Sequence, residues 1–468
     1  MASVANPVAL ASQRDLRMLY VGKDIIDIPK PAIVLDHAII RRHCESMIRT
    51  IKQLGVGFRA HVKSHKTTEI AEMQVGDKSL DANFIASTVL EIETLVPLMK
   101  QLKLNGRKVN VLYGIPLLQS QLGRLAMAAL EVGEGSLSVM IDHPDQVEYL
   151  TRLATITQFP ISVFIKVDTG YHRAGLPPIA LNKNGLVEKL AETEKEGHAF
   201  LLGIYSHSSL SYAGNTPQDA MTHLIKEIQG CNEALECHLH LFPPKKELVV
   251  SIGATPQALS SQNLVSDGPS TPVAAQLKDL LRNPFPQNPN AKITVEIHAG
   301  VYPFLDMQQL STSARYDIGP PEQEIAISVL AEVCSVYNDG ERSNPEALLA
   351  AGTLALGREP CPSYPGWGLV SSWRLPAPEA SSRLIVERIS QEHSIVSWEL
   401  GARSSAIPLH PGQSVKIYPN HACVAAAFYS FYFVVDSDQD PEAAKIVDVW
   451  LRAKGSEITD SSLLPRFQ

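Results

Sequence analysis

The chain is poor in cysteine. Its six thiols (Cys44, Cys231, Cys237, Cys334, Cys361 and Cys423) are spread over 468 residues. That is too thin for a disulfide scaffold, so a reducing, cytoplasmic compartment is expected. A strong charge of either sign is also missing. Forty-one Lys and Arg against 49 Asp and Glu leave a formal charge of −8, with no basic stripe, which argues against a nucleic-acid partner. No apolar run approaches the roughly 20 residues that span a bilayer, so no membrane partner is expected. Met1–Tyr20 lacks a charged region followed by an apolar one, so no secretory signal is expected. No G-x-G-x-x-G follows the first barrel-type strand, which counts against a dinucleotide site. There is no internal repeat beyond a strand–helix rhythm.

That rhythm is the main positive signal. Short runs rich in β-branched residues recur at Val56–Val62, Phe84–Thr88, Val109–Tyr113, Leu137–Ile141, Ile161–Val167, Leu201–Ser206, Leu248–Ile252 and Ile293–Ile297. Helix-like segments lie between them, among them Val89–Lys103, Leu117–Val132, Pro144–Ile156, Ala180–Lys195 and Pro217–Leu235. Alternation over this length reads as parallel βα units, and about eight of them make an α/β fold of the (β/α)8 TIM-type barrel, with a doubly wound open sheet as the rival. Residues 1–31 read as a lead-in joining the β domain. The barrel is expected over 32–324, with Ala32–Leu35 read as a strand or the entry to a helix and a polar surface insertion near 256–290. From 325 to 468 the pattern turns to alternating strands, a mainly β domain, with a helical stretch over Glu442–Ala453 near the end.

Unusual residues gather where the strands end, which in a barrel is one pocket. Lys63 and Lys66, with His61 and His65, follow the first barrel strand in Ala60-His61-Val62-Lys63-Ser64-His65-Lys66. Crowded cations lower a lysine pKa and make it nucleophilic; the plainer reading of this stretch is a solvated basic turn. Asp168-Thr169-Gly170-Tyr171-His172-Arg173 follows another strand, and Tyr205, His207 and Tyr212 follow a third. In Ser251-Ile252-Gly253-Ala254-Thr255-Pro256, Gly253 lets the backbone approach a ligand. Pro256 can open a helix whose N-terminus favours phosphate. Arg173 would stay charged beside a cofactor ring. In the second domain, His421 and Cys423 stand two apart. In a strand they would share a face, and imidazole plus thiolate suits zinc; a buried thiol beside an exposed ring is the ordinary alternative. Cys237-His238-Leu239-His240 reads as a surface segment past a helix end.

Taken together, HVKSHKT, DTGYHRAG, YSHSSLSY, SIGATP, EIHAGVYPF, PGWG and PNHAC resemble the D-serine dehydratase and D-threonine aldolase family of alanine racemase-like enzymes, fold type III of the pyridoxal phosphate class. The resemblance spans roughly residues 30–435, and PNHAC points to the zinc-dependent D-serine dehydratase branch. It implies pyridoxal 5'-phosphate on Lys63 as the catalytic lysine. Arg173, Tyr205, His207, Tyr212, Ser251, Gly253, Ala254 and Thr255 would bind the cofactor, and His421 and Cys423 would hold Zn2+. It also implies a small D-amino acid substrate, elimination of water from D-serine, and a homodimer. Retro-aldol cleavage of D-3-hydroxy amino acids and a non-catalytic cofactor carrier are the alternatives.

Overall fold

A computed structural model describes residues 12–76, 78–241, 246–266, 268–285, 292–375, 383–399 and 405–454. These form two compact units. One comprises residues 43–303 and 309–318 with the short stretch after 452; the other comprises residues up to 42, 304–308 and 319–452. The part of the expected insertion over 286–290 and the tail beyond 454 lie outside the described residues.

Strand β1 (Ala32–Asp36) precedes eight strands that close into a parallel barrel. These are β2 (Gly57–His61), β3 (Ala82–Ala86), β4 (Val109–Pro116), β5 (Leu137–Ile141), β6 (Ile161–Lys166), β7 (Ala199–Tyr205), β8 (Glu247–Ile252) and β9 (Lys292–Ala299). Each sits within a few residues of its sequence-derived run. The ring closes where β9 pairs with β2, Gly57 opposite Glu296 and Arg59 opposite His298. Inside it, Ile85, Leu112, Met140, Phe164 and Tyr205 form an apolar cluster.

The barrel also contains a buried polar layer. The Arg59 guanidinium donates to Glu296 at 2.6 Å, to Asn110 at 2.7 Å and to the Phe84 carbonyl at 3.3 Å. Asn83 donates to the other Glu296 oxygen, and Ser138 donates to Asn110. Arg59 is 2% exposed and Glu296 4%. A guanidinium cannot shed its proton, so at this burial it needs the carboxylate and carbonyls that surround it.

The second unit carries a nine-stranded sheet. After β1 its strands are β10 (Ile327–Tyr337), β11 (Glu346–Leu349), β12 (Gly368–Val370), β13 (Leu384–Ile389), β14 (Ser394–Trp398), β15 (Ser414–Pro419), β16 (Phe431–Val435) and β17 (Asp448–Leu451). They are ordered β11-β14-β13-β12-β15-β10-β1-β16-β17. Because β11 also pairs with β10, six of them close on a core that includes Val329, Val386, Val415 and Ile417. The other face of β1, β10 and β16 packs Val34, Leu330 and Phe433 against Leu16, Ile25 and Ile28 of the lead-in.

Three expectations are corrected. Ala32–Leu35, inside the expected 32–324 barrel, is a strand that lies between β10 and β16 in the nine-stranded sheet. A strand followed by an Asp and an amphipathic helix looks like a βα unit, but its two edges are claimed by strands about 300 and about 400 residues later. Residues 255–263 are not a surface insertion. Thr255–Gln262 is a helix buried along its whole length, its hydroxyls bonded to the preceding turn (Ser260 to the Gln257 carbonyl, Ser261 to that of Ala258). Finally, Glu442–Ala453 is not helical, since Asp448–Leu451 pairs antiparallel with β16.

Removing one partner of the Arg59–Glu296 pair strands a buried charge. Arg59→Ala is expected to cost about 3–5 kcal/mol, whereas Arg59→Met with Glu296→Leu recovers most of it. Urea unfolding of the two variants checks this, and a double variant no more stable than the single contradicts it.

Candidate active site

Parallel strands deliver their ends to one mouth of the barrel, and side chains two residues apart on a strand share a face. Beyond Arg59 comes His61, beyond Phe164 comes Lys166, and beyond Glu296 comes His298. Lys63 follows β2 and is half-buried, its backbone N–H donating to His61 Nδ1 at 3.3 Å. His207 follows β7. Its Nδ1 lies 2.7 Å from the Gly253 carbonyl and 3.4 Å from His298 Nε2. His298 stacks on Tyr205 with centroids 4.5 Å apart and an interplanar angle of 3°. Its Nδ1 meets Ser251 Oγ at 3.2 Å. Tyr205, His207, Ser251 and Gly253 therefore form one contiguous group.

The electrostatics of this group are one-sided. Burial, then the charges of Lys63, Lys166 and Arg173, hold His207 well below the usual imidazole range. Burial, then Lys63, His207 and His65, do the same to His61. Burial, then His207, His61 and Lys166, do so to His298. All three are neutral at neutral pH. With its proton given to the Gly253 carbonyl, His207 leaves Nε2 as an acceptor.

Gly253 adopts φ +128°, and a Cβ there would stand 2.8 Å from the His298 carbonyl oxygen. This residue must be glycine for β8 to turn past β9. The turn leads into the buried helix Thr255–Gln262, which has Pro256 in its first turn. Its N-cap is Ala254, 2% exposed, and no side chain caps it. A dry helix start with no capping acceptor leaves first-turn N–H groups for an anion. Thr255 Oγ1 accepts from the Val301 N–H at 3.1 Å and still has its own proton to donate. This cradle fits a phosphate.

The Asp168–Arg173 turn is tied by Asp168, which accepts from the Gly170 N–H, the His172 N–H and His172 Nδ1. Arg173 is exposed, over the Tyr171 ring at 5.2 Å, and its charge still reaches Lys166, Tyr205 and His207. Tyr212 sits half-buried on the short turn Ser209–Ala213. Lys66 pairs with Glu91 at 2.9 Å, so its charge is already matched.

Two groups escaped sequence reasoning. Lys166 ends β6, is 5% exposed and lies 4.6 Å from the Tyr205 ring centroid. Burial lowers its pKa to about 8, against the opposing pull of Glu227. Glu227, 1% exposed on the helix Pro217–His238, is raised by burial and held back by Ser206 and Lys166. The available signal was a lysine at the apolar end of a strand and a glutamate at an inward helical position.

In the other unit, His421 is the N-cap of the helix Ala422–Ala427 and Cys423 lies in its first turn. The expected strand geometry is therefore corrected, because β15 ends at Pro419. The two side chains still meet. Burial opposes the charged ring, but the Cys423 sulfur, Asp306 and Glu359 outweigh it and push His421 up to about 9. Glu359 stands 4.0 Å from His421 Nδ1, and Asp306 accepts the Ala422 N–H at 2.8 Å. Among the described residues no cluster of three or more His, Cys, Asp or Glu is set to hold a metal. One imidazole and one thiol are a donor pair suited to zinc whose remaining positions come from elsewhere. His238, expected on the surface, is the buried last residue of its helix, bonded to the Ala234 carbonyl.

A parallel barrel with a lysine after its first strand, beside a separate mainly β unit, defines the alanine racemase-like class. Residues 35–267 match the model for the alanine racemase N-terminal domain, and residues 326–435 match that for a putative serine dehydratase domain. A solved D-threo-3-hydroxyaspartate dehydratase from a Delftia species has the same fold, with a TM-score of 0.70 at 22% identity over 92% of this chain and 100% of its own. The D-serine dehydratase of Schizosaccharomyces pombe is 32% identical over 449 residues, 95% of this chain and 96% of the relative. That of Saccharomyces cerevisiae is 28% identical over 458 residues, covering 93% and 98%. The chain belongs to the D-serine dehydratase family.

Because folding depresses the three imidazole pKa values, their contribution to stability is present above the unfolded value of about 6.5 and is lost as pH falls below it. Each histidine adds up to ~1.4 kcal/mol per pH unit to that loss. His298→Asn should remove one of the three contributions. Unfolding midpoints measured from about pH 7 to about pH 5 check this; identical slopes in the variant and the parent contradict neutral imidazoles.

Proposed function

We propose that this chain is a pyridoxal phosphate- and zinc-dependent D-serine dehydratase, a D-serine ammonia-lyase. It removes water from D-serine, or from D-threonine, to yield pyruvate or 2-oxobutyrate and ammonia. The observation that carries the reading is the uncapped, buried start of the helix Thr255–Gln262 in the same barrel mouth as Lys63 and three neutral imidazoles. In this reading the barrel unit is the cofactor domain and the β unit the metal domain. A cytoplasmic homodimer is part of the same proposal, supported by six free cysteines and by the family resemblance.

The cofactor would be held by Lys63, with its phosphate at Ser251, Gly253, Ala254 and Thr255. When bound it supplies an electron sink for the charge left at the substrate Cα. Zinc at His421 and Cys423 supplies a Lewis acid for the departing hydroxyl. The protein's own groups do the rest. The Lys63 amine is the base that takes the Cα proton. Arg173 keeps its charge and donates hydrogen bonds without exchanging protons. His207, neutral, offers an acceptor without adding charge. Tyr205, fixed by its stack on His298, and Tyr212 provide walls that exclude water.

Lys63→Ala is expected to abolish the cofactor's visible absorbance and to lower turnover of D-serine by ~10²–10⁴-fold. A native protein that is colourless and cannot be reconstituted with the cofactor sinks the proposal. Chelation, or His421→Ala with Cys423→Ala, should stop pyruvate release while the absorbance stays. Glycine and an aldehyde in place of pyruvate would indicate retro-aldol cleavage instead.

A further inference from the structure

The β unit contains a second chamber that the proposed reaction does not use. It is a cavity of about 430 Å³ on the face of the sheet opposite the closed core. Val34, Ser328, Lys416 and Tyr418 form its floor, with Ser371 and Trp373 at its wall. Its place follows from strand alternation. Val415 and Ile417 of β15 point into the closed core, so Lys416 and Tyr418 point the other way.

Lys416 is the unusual member. It is 8% exposed. Among the described residues its amine meets one carbonyl, that of Ala443 at 2.9 Å, and the face of Trp373, 4.6 Å from the ring centroid, with no carboxylate at ion-pair distance. An ammonium has three N–H donors, and one acceptor and a ring face leave it under-coordinated at a depth where lysines are rarely found unpaired. The carboxylates around the cavity are otherwise engaged. Asp36 accepts the Ala38 and Ser437 N–H groups, Glu322 accepts from Ser372, Glu324 accepts from the Gly319 N–H, and Glu442 is held by Arg374. The lining's two bases are Arg42, which donates to the Gln323 carbonyl, and Lys416, which is the more deeply buried and has no carboxylate partner among the described residues. Burial lowers the lysine to about 8, Asp36 and Asp440 opposing and Arg374 assisting, so it still carries its proton at neutral pH. The Tyr418 hydroxyl, which accepts from Ser371 at 3.2 Å, keeps a proton to donate into the same space.

We propose that this cavity is a binding site for a small carboxylate, whose oxygens take the free Lys416 N–H groups and the Tyr418 hydroxyl proton while its carbon chain lies along Trp373. Charge-assisted hydrogen bonds of this kind change affinity by roughly 10- to 100-fold each. The site sits on the strand that leads, five residues on, to His421.

The test titrates the cofactor-loaded full chain separately with acetate, succinate and citrate at matched ionic strength, following tryptophan fluorescence. A saturable change at millimolar concentration with at least one of them is expected. It should be absent in Trp373→Phe and at least about tenfold weaker in Lys416→Met, with far-ultraviolet dichroism and cofactor absorbance reporting that each variant is intact. No saturable change with any of the three, or unchanged affinity in Lys416→Met, overturns the proposal. A measurement on the unmodified protein covers the case in which that variant fails to fold. Acetylation of Lys416, mapped by peptide mass spectrometry, should be slowed at a saturating concentration of the carboxylate that binds, and unslowed acetylation overturns the site.

Discussion

The buried Arg59–Glu296 ion pair lies across the seam at which the barrel closes. Its guanidinium also reaches β3 and β4, and Asn110 passes the network on to Ser138 of β5. Five of the eight strands are thus pinned at one level by hydrogen bonds that have no substitute in a dry interior. A register slip would leave a charge unpaired, at a cost of several kcal/mol. With that level set, the alternation of strand side chains sets the next. His61 follows Arg59, His298 follows Glu296 and Lys166 follows Phe164, so the next level sets two imidazoles beside a lysine.

Those imidazoles are neutral first because they are buried and then because their surroundings are already positive. Lys63, Lys166 and Arg173 all act on His207, and a protonated ring among them would add a fourth charge at low dielectric. Glu227, brought in by the long helix Pro217–His238, is the buried counterweight to Lys166. The result is a mouth with a net attraction for anions, floored by neutral acceptors, and a helix start that lacks a cap. The phosphate of the proposed cofactor would answer both features at once, because it would match the cations and complete the helix.

Much of this was legible from residues alone. The eight barrel strands stood out because buried parallel strands are continuous β-branched runs and the intervening helices keep their period. Lys63, His207 and the Ser251–Thr255 turn stood out because polar residues there interrupt apolar strand ends. What was not legible depends on tertiary pairing. Ala32–Leu35 has the pattern of a βα strand, and only its hydrogen bonds to β10 and β16 assign it elsewhere. Ser260 and Ser261 look like surface residues, but their hydroxyls are satisfied locally, so a polar helix can be buried. Lys166 and Glu227 are each unremarkable in sequence and gain meaning only from facing one another.

The His421–Cys423 pair shows how two residues can be brought together by a different element from the one their spacing suggests. Two residues apart, they would share a face in a strand; in fact the chain leaves β15 at Pro419 and begins a helix. At this helix start the His421 ring makes no capping hydrogen bond and meets the Cys423 side chain instead, which again brings the two together. The helical version is the stiffer one. Asn420 is held by the carbonyls of Glu359 and Gly366 and by the Tyr364 hydroxyl, and Asp306 accepts the Ala422 N–H. Each residue before or between the two donors is therefore tied down, while the donors themselves are not consumed by capping. Two donors alone would leave positions on the zinc proposed above for water or a substrate hydroxyl, unlike the four protein ligands of a closed structural site.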